Sequence, residues 1–381
     1  MRNNSKRAKI QSTVTILFGA RLGVATQTAS TATKKVSAAL RQLFAGALLV
    51  LPIFVYAEAV VPSAANAEAT DPAKMGWMQG SPPPENRIIR FADGSYFRFP
   101  ATRWSFSNFR RLMPTINVSR GLNATATLSQ ALRDDIDDIR FTPGDTSTSM
   151  RWSDSLLENY TDAVLILHQG KVVYERYFGV SSPTGQHGVM SITKTFVGTL
   201  ASALIAEGVL DPGKLVTDYV PELAGSAFAG ATLQQVLDMT TGIRFNEDYA
   251  NPKADIWVHA KAGSPLPMPK DYQGPRSYYE FLQQTVAEGK HGEAFHYRTI
   301  NTDALGWVIA RATGKSLNEL LSERIWQKLG AEQDAYINAD SIGTPFAGGG
   351  LSVGLRDLAR FGEMIRNNGY YNGQQIIPAA A

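Results

Sequence analysis

The 381-residue sequence contains no cysteine, which removes disulfides, thiolate metal sites and cysteine nucleophiles together and leaves stability to packing. Acids are almost missing from its first 67 positions, where Arg2, Lys6, Arg7, Lys9, Arg21, Lys34, Lys35 and Arg41 face the single acid Glu58. The overall net charge of +3 therefore conceals a remainder of −4. A mildly acidic body without a basic run gives no footing for a nucleic-acid partner. No His-Glu-x-x-His is present, and His291 and His296 flank a Gly-Glu loop without ligand spacing. The glycine run 348–350 lacks the Lys-Ser/Thr that a phosphate loop needs. Neither a metal nor another cofactor is expected.

Long apolar runs are scarce as well. "LFAGALLVLPIFVYA" (43–57) is interrupted by Pro52 and falls short of the roughly 20 residues that span a bilayer, so no stable membrane span is expected. Lys34, Lys35 and Arg41 precede it, and Ala65-Asn66-Ala67 follows it with small-x-small spacing. Residues 1–67 therefore read as a targeting segment, cut near Ala67 and directing export to the periplasm. Three alternatives share these features: an anchor formed by 43–57, a misplaced start, or a transit peptide suggested by the acid-free, Ser/Thr-rich residues 1–41.

What is there is an ordinary globular composition, 44% hydrophobic and 19% charged, enough for one large or two smaller domains. Residues 68–140 read as a wrapping segment rich in turn formers and aromatics, with a hairpin predicted at Asp93-Gly94 and a short helix over 128–139. In the remainder, 141–381, two β-rich runs flank Gln169-Gly170 and predict a hairpin over 162–180. Beyond a loop, Ile192, Phe196, Leu200 and Leu204 recur at helical spacing until Gly208 stops the pattern. A helix is predicted over 232–243, a long Pro/Gly-rich loop carrying Tyr249, Trp257 and Tyr272 over 244–277, and amphipathic helices over 301–314, 316–330 and 355–369.

Two serines compete as nucleophiles. Ser191 stands three residues before Lys194, so on a helix the two side chains share a face and the amine can reach the hydroxyl. A helix start also favours developing negative charge. To act as base the lysine must give up its proton, which apolar neighbours such as Met190, Ile192 and Phe196 would favour. The bland alternative makes Ser191 an N-cap and Lys194 a solvated first-turn residue. Ser352, in Gly350-Leu-Ser352-Val-Gly354, fits a nucleophile elbow, but "TPFAGGG" before it is no strand and none of the five histidines follows it. It reads instead as part of a glycine-rich loop near the next helix start.

Ser191-Ile-Thr-Lys194 after a hairpin, "TLQQVLDMTTGI", Tyr297 in "FHYRTINTDALGWVIARATGKSL", and "FAGGGLSVGLRDLARFG" come in the order seen in serine β-lactamase-like hydrolases. The chain resembles the branch of class C β-lactamases, esterases and 6-aminohexanoate-dimer hydrolases, the last especially through "MGWMQGSPPPENRIIRFADGSYFRFPATRWSFSNFRRL". The resemblance covers about residues 75–378. It implies an α/β, transpeptidase-like fold, a sheet flanked by helices with a helical subdomain and the site between them. It also implies Ser191 as the acylated nucleophile, Lys194 as its base and Tyr297 as a proton relay, acting on a small amide or ester. Tyr249, Trp257 and Tyr272 are candidates for an apolar substrate wall.

Two departures follow. Thr299 stands where many relatives have the Asn of Tyr-x-Asn, and the Lys/His-Thr/Ser-Gly strand with its neighbours is expected to be missing, lying beyond "NGQQIIPAAA" (372–381), which leaves the 162–180 hairpin short of sheet partners. A truncated or non-catalytic, amide- or peptidoglycan-binding descendant is therefore the rival expectation.

Overall fold

The computed structural model describes residues 67–144 and 146–381, together with the backbone of 13–19. The apolar run 43–57 and residues 65–66 lie outside the described residues.

Thr161–His168 and Lys171–Tyr177 pair antiparallel across Gln169-Gly170, whose φ values of 52° and 76° suit a two-residue primed turn. Strand alternation sends Ala163, Leu165 and Leu167 into the main core, while Val164 and Tyr174 join Ile136 and Leu156 on the other face. In the full chain the hairpin has one partner on each side. Thr13–Gly19 pairs antiparallel along Thr161–His168, and Ser129–Gln130 pairs parallel with Lys171 and Val172, making a four-stranded sheet. The first of these strands lies within the segment 1–67 read as targeting.

A second, antiparallel sheet runs Thr115–Val118, Ala335–Asn338, Leu351–Gly354 and Gln186–Gly188. Ser352 is corrected here: it sits inside a strand, opposite Tyr336 and Gly188, and is fully buried.

The helix Thr193–Ala206 packs into the main core with Phe196, Val197, Leu200, Ala201 and Leu204 buried, the spacing read from the sequence. Phe196 stacks on Phe361 of the helix Leu355–Arg366 with ring centroids 3.8 Å apart. Fully burying each such side chain stabilises by about 1.5–3 kcal/mol. Thr299–Thr313 is buried along its first three turns and packs against the Thr193 helix, which places the starts of both helices at one end of the core.

Several local expectations are corrected. Asp93-Gly94 forms no hairpin: the Asp93 carboxylate accepts the Ser95 N–H at 2.8 Å and opens a 3-10 turn over Ser95–Phe97. No α-helix forms over 128–139, because Ala131 and Arg133 give their N–H groups to Val172 and Val173. Asp134, Asp135, Asp137 and Asp138 would also repel one another at helical spacing, and only a 3-10 turn results. The helix over 232–243 shortens to Leu233–Leu237, and the long loop contains the helix Asp255–Ala262, on which Trp257 rides. There Ile256, His259 and Ala262 face inward at three-residue steps, a signal hidden by the prolines on both sides.

Candidate active site

The second sheet aims the site. The Val189 N–H donates to the Leu351 carbonyl at 2.9 Å, and the Leu351 N–H donates to the Thr193 hydroxyl at 3.1 Å, so both ends of the Met190–Ile192 turn are pinned to one strand. Met190 takes φ 46°, the left-handed region, strained for a side chain of its size and held by those two bonds. The turn leaves Ser191 exposed at the start of a long helix.

The Ser191 hydroxyl caps neither this turn nor the following helix. Its partner is Lys194, whose Nζ lies 3.0 Å from Ser191 Oγ and also donates to the Gly348 carbonyl at 2.5 Å. The ring of Tyr297 covers the amine, with Nζ 5.0 Å from its centroid. The setting differs from the one expected: Phe196 points into the core and Ile192 into solvent, and a phenol ring and a backbone carbonyl take their place.

Ser191 and Tyr297 open onto a pocket of about 250 Å³. Of the three expected wall residues, Tyr249 and Trp257 line it, edge to face at 6.0 Å. Tyr272 does not: it sits outside the lining, its ring 4.1 Å beneath the Lys261 amine. The wrapping segment adds to the lining, where Phe97 meets Trp257 edge to face at 6.2 Å and Phe109 and Met113 join the surface. Sequence reasoning saw these aromatics as wrapping alone. A larger hollow of about 480 Å³ lies beyond Asp303 and Ala347 and includes none of Ser191, Lys194 or Tyr297.

Glu247 is a second residue the sequence did not single out. Its carboxylate accepts the Tyr249 hydroxyl at 2.9 Å, the Thr299 hydroxyl at 2.6 Å and the Thr299 N–H at 2.8 Å. Burial and the adjacent Glu247 charge push the Tyr249 phenol well above its ordinary value, so it remains a donor. Thr299 is thus tied to Glu247, while Asn301 is buried and accepts the Thr241 hydroxyl at 2.8 Å, away from Ser191. Among the described residues no cluster of three His, Asp or Glu is arranged to hold a metal ion, and no helix is long and apolar enough to cross a membrane.

A hydroxyl, an amine and a phenol meeting at a helix start beneath an aromatic pocket can carry acyl transfer. Comparison with known proteins places the chain in a family. The family described as Beta-lactamase matches residues 154–381. A 6-aminohexanoate-dimer hydrolase of Paenarthrobacter ureafaciens is 38% identical over 288 residues, spanning 74% of this chain and 69% of that protein. A solved structure assigned as a 6-aminohexanoate-dimer hydrolase from Bacillus anthracis superposes with a TM-score of 0.70 at 34% identity, covering 75% of this chain and 74% of the other. A beta-lactamase of Providencia stuartii is 24% identical over 173 residues, 45% of this chain and 39% of its own. The fold is mixed α/β and transpeptidase-like, and the chain belongs to the beta-lactamase family of serine hydrolases.

Proposed function

We propose that the chain hydrolyses a small linear amide or ester through an acyl-enzyme on Ser191. The observation that carries this reading is the 3.0 Å contact between Lys194 Nζ and Ser191 Oγ at the foot of an aromatic pocket. With one amine N–H held by the Gly348 carbonyl, Lys194 Nζ is left facing the Ser191 hydroxyl, the placement a general base needs. The serine oxygen attacks the substrate carbonyl as Lys194 takes its proton, and the tetrahedral intermediate collapses when the leaving amine or alcohol receives a proton by way of the Tyr297 phenol. Water then attacks the acyl ester, its proton returns through the same groups to Ser191, and the acid leaves.

Tyr249 and Trp257, with Phe97 beside Trp257, form an apolar wall suited to an extended methylene chain. The relatives named 6-aminohexanoate-dimer hydrolases favour a linear amide of that kind over a β-lactam ring. We place residues 1–67 as a targeting segment, 68–140 as the wrapping segment and 141–381 as the hydrolase domain, with export to the periplasm; cleavage near Ala67 removes the Thr13–Gly19 strand and leaves Thr161–His168 as an edge of its sheet. N-terminal sequencing of secreted protein beginning at Glu68 tests the export. Turnover of 6-aminohexanoate dimer and of a p-nitrophenyl ester by the full chain tests the activity. Loss of both in Ser191→Ala with an unchanged melting profile is the expected result, and undiminished turnover by that variant overturns the reading.

A further inference from the structure

The Gly348 carbonyl that holds Lys194 is itself held, and by groups that belong to no assigned motif. The Gly348 N–H donates to Asp303 Oδ1 at 2.9 Å, and Asp303 Oδ2 lies 2.9 Å from His259 Nε2. Asp303 is 5% exposed and His259 1%. The imidazole sits among Tyr278, Phe281 and Phe346, with centroids at 5.0, 5.1 and 5.6 Å, so it has little freedom to rotate. Gly348 is equally confined: a Cβ there would meet Thr299 Cγ2 at 2.4 Å. Three elements that do not adjoin in sequence, the helix Asp255–Ala262, the second turn of Thr299–Thr313 and the loop before Leu351–Gly354, therefore converge on one glycine.

We infer that His259 and Asp303 are positioning residues for the reaction, fixing the Gly348 carbonyl so that it orients the Lys194 amine toward Ser191. The inference rests on the proposed role of Lys194 as base. A buried carboxylate with both oxygens bonded is a costly feature, since desolvating it without partners would be strongly unfavourable. Here its two bonds are spent on a backbone N–H one residue-length from the base, and on the ring that orients the carboxylate. An amine has three positions around nitrogen besides its carbon, and a single N–H···O=C bond removes most of its rotational freedom. If the Gly348 carbonyl moves, the lone pair no longer points at the serine proton, and a misplacement of about 1 Å can cost roughly 100-fold in rate. Neither Asp303 nor His259 reaches Ser191 or Lys194 by a hydrogen bond of its own, and Asp303 lies outside the pocket lining, so its loss falls on the chemical step; His259 lines the pocket, so for it kcat and the labelling rate are the readout.

The test uses the full chain and follows p-nitrophenyl ester turnover, fluorophosphonate labelling of Ser191 and thermal unfolding. For Asp303→Ala we expect kcat and the labelling rate to fall about 10- to 100-fold with KM within about threefold. Asp303→Asn should recover most of that loss, because its amide oxygen still accepts the Gly348 N–H and its NH₂ can donate to His259 in the other tautomer. His259→Phe, which keeps the aromatic packing, should lose kcat as Asp303→Ala does. If Asp303→Ala does not fold, the last two variants decide. Wild-type kcat in Asp303→Ala or in His259→Phe overturns the inference. So does a loss that Asp303→Asn fails to restore, or an Asp303→Ala loss carried by KM. Wild-type protein that turns over without labelling at Ser191 would instead sink the underlying reading.

Discussion

Gly188→Ala is a small change with a large expected effect. A Cβ at Gly188 would lie 2.4 Å from Phe109 Cε2 and 2.9 Å from Cδ2, well inside contact distance. Neither partner can step aside: the Gly188 N–H donates to the Phe106 carbonyl at 2.7 Å, and its strand pairs with Ser352. Phe109 is 3% exposed and packs against Phe106 at 5.4 Å and Tyr96 at 6.4 Å. Overpacking of this kind costs about 1–3 kcal/mol, which in a domain of about 150–250 residues lowers Tm by about 2–4 °C per kcal/mol and here by about 2–12 °C in total. Phe109 also walls the pocket and Gly188 lies three residues before Ser191, so ester turnover should fall with stability. The assay is a double-mutant cycle of Gly188→Ala and Phe109→Leu read by thermal unfolding and turnover. Leucine removes the clashing ring edge, so the double variant should be more stable than the sum of the single losses. Additive losses, or a Gly188→Ala protein that melts and turns over like wild type, would refute this account of how the wrapping segment meets the site.

Lys194→Met should lose at least 100-fold in acylation rate while remaining folded, and Lys194→Arg should be equally inactive because guanidinium stays protonated; stopped-flow acylation checks both. Trp257→Ala should raise KM for an extended amide several-fold, whereas Tyr272→Phe, outside the pocket lining, should leave it unchanged in steady-state kinetics. The raised Tyr249 phenol keeps its bond to Glu247 at every pH below its unfolded value near 10 and loses it only as pH climbs through the folded value. The Tm difference between wild type and Tyr249→Phe should therefore stay constant from about pH 6 to 9 and shrink only above that, in melts recorded across the series.

How far the sequence carried depended on how local each signal was. The 161–177 hairpin, the Thr193 helix and the three later helices were readable because their turn residues and apolar spacing are set within a dozen residues. Ser191, Lys194 and Tyr297 could be named in advance, and the structure brings all three together. The helix Asp255–Ala262 was lost because prolines and glycines around it dominate the composition of 244–277. The aromatic wall from Phe97 and Phe109, and the bonds from Asp303 and His259 to Gly348, are contacts across distant parts of the chain. No spacing rule encodes them, and Asp303 looks from sequence like any polar residue in a helix. Tyr272 shows the converse error: a loop aromatic was grouped with its neighbours by proximity in sequence, while a lysine held it elsewhere.

The central claim is that Ser191 carries the acyl group, and intact-mass analysis after reaction with a fluorophosphonate or a slow ester tests it most directly. The account predicts one covalent adduct per chain, mapped by peptide digestion to Ser191, slowed in Lys194→Met and absent from a folded Ser191→Ala protein. An adduct that persists in Ser191→Ala, or that maps to the buried Ser352, would contradict it.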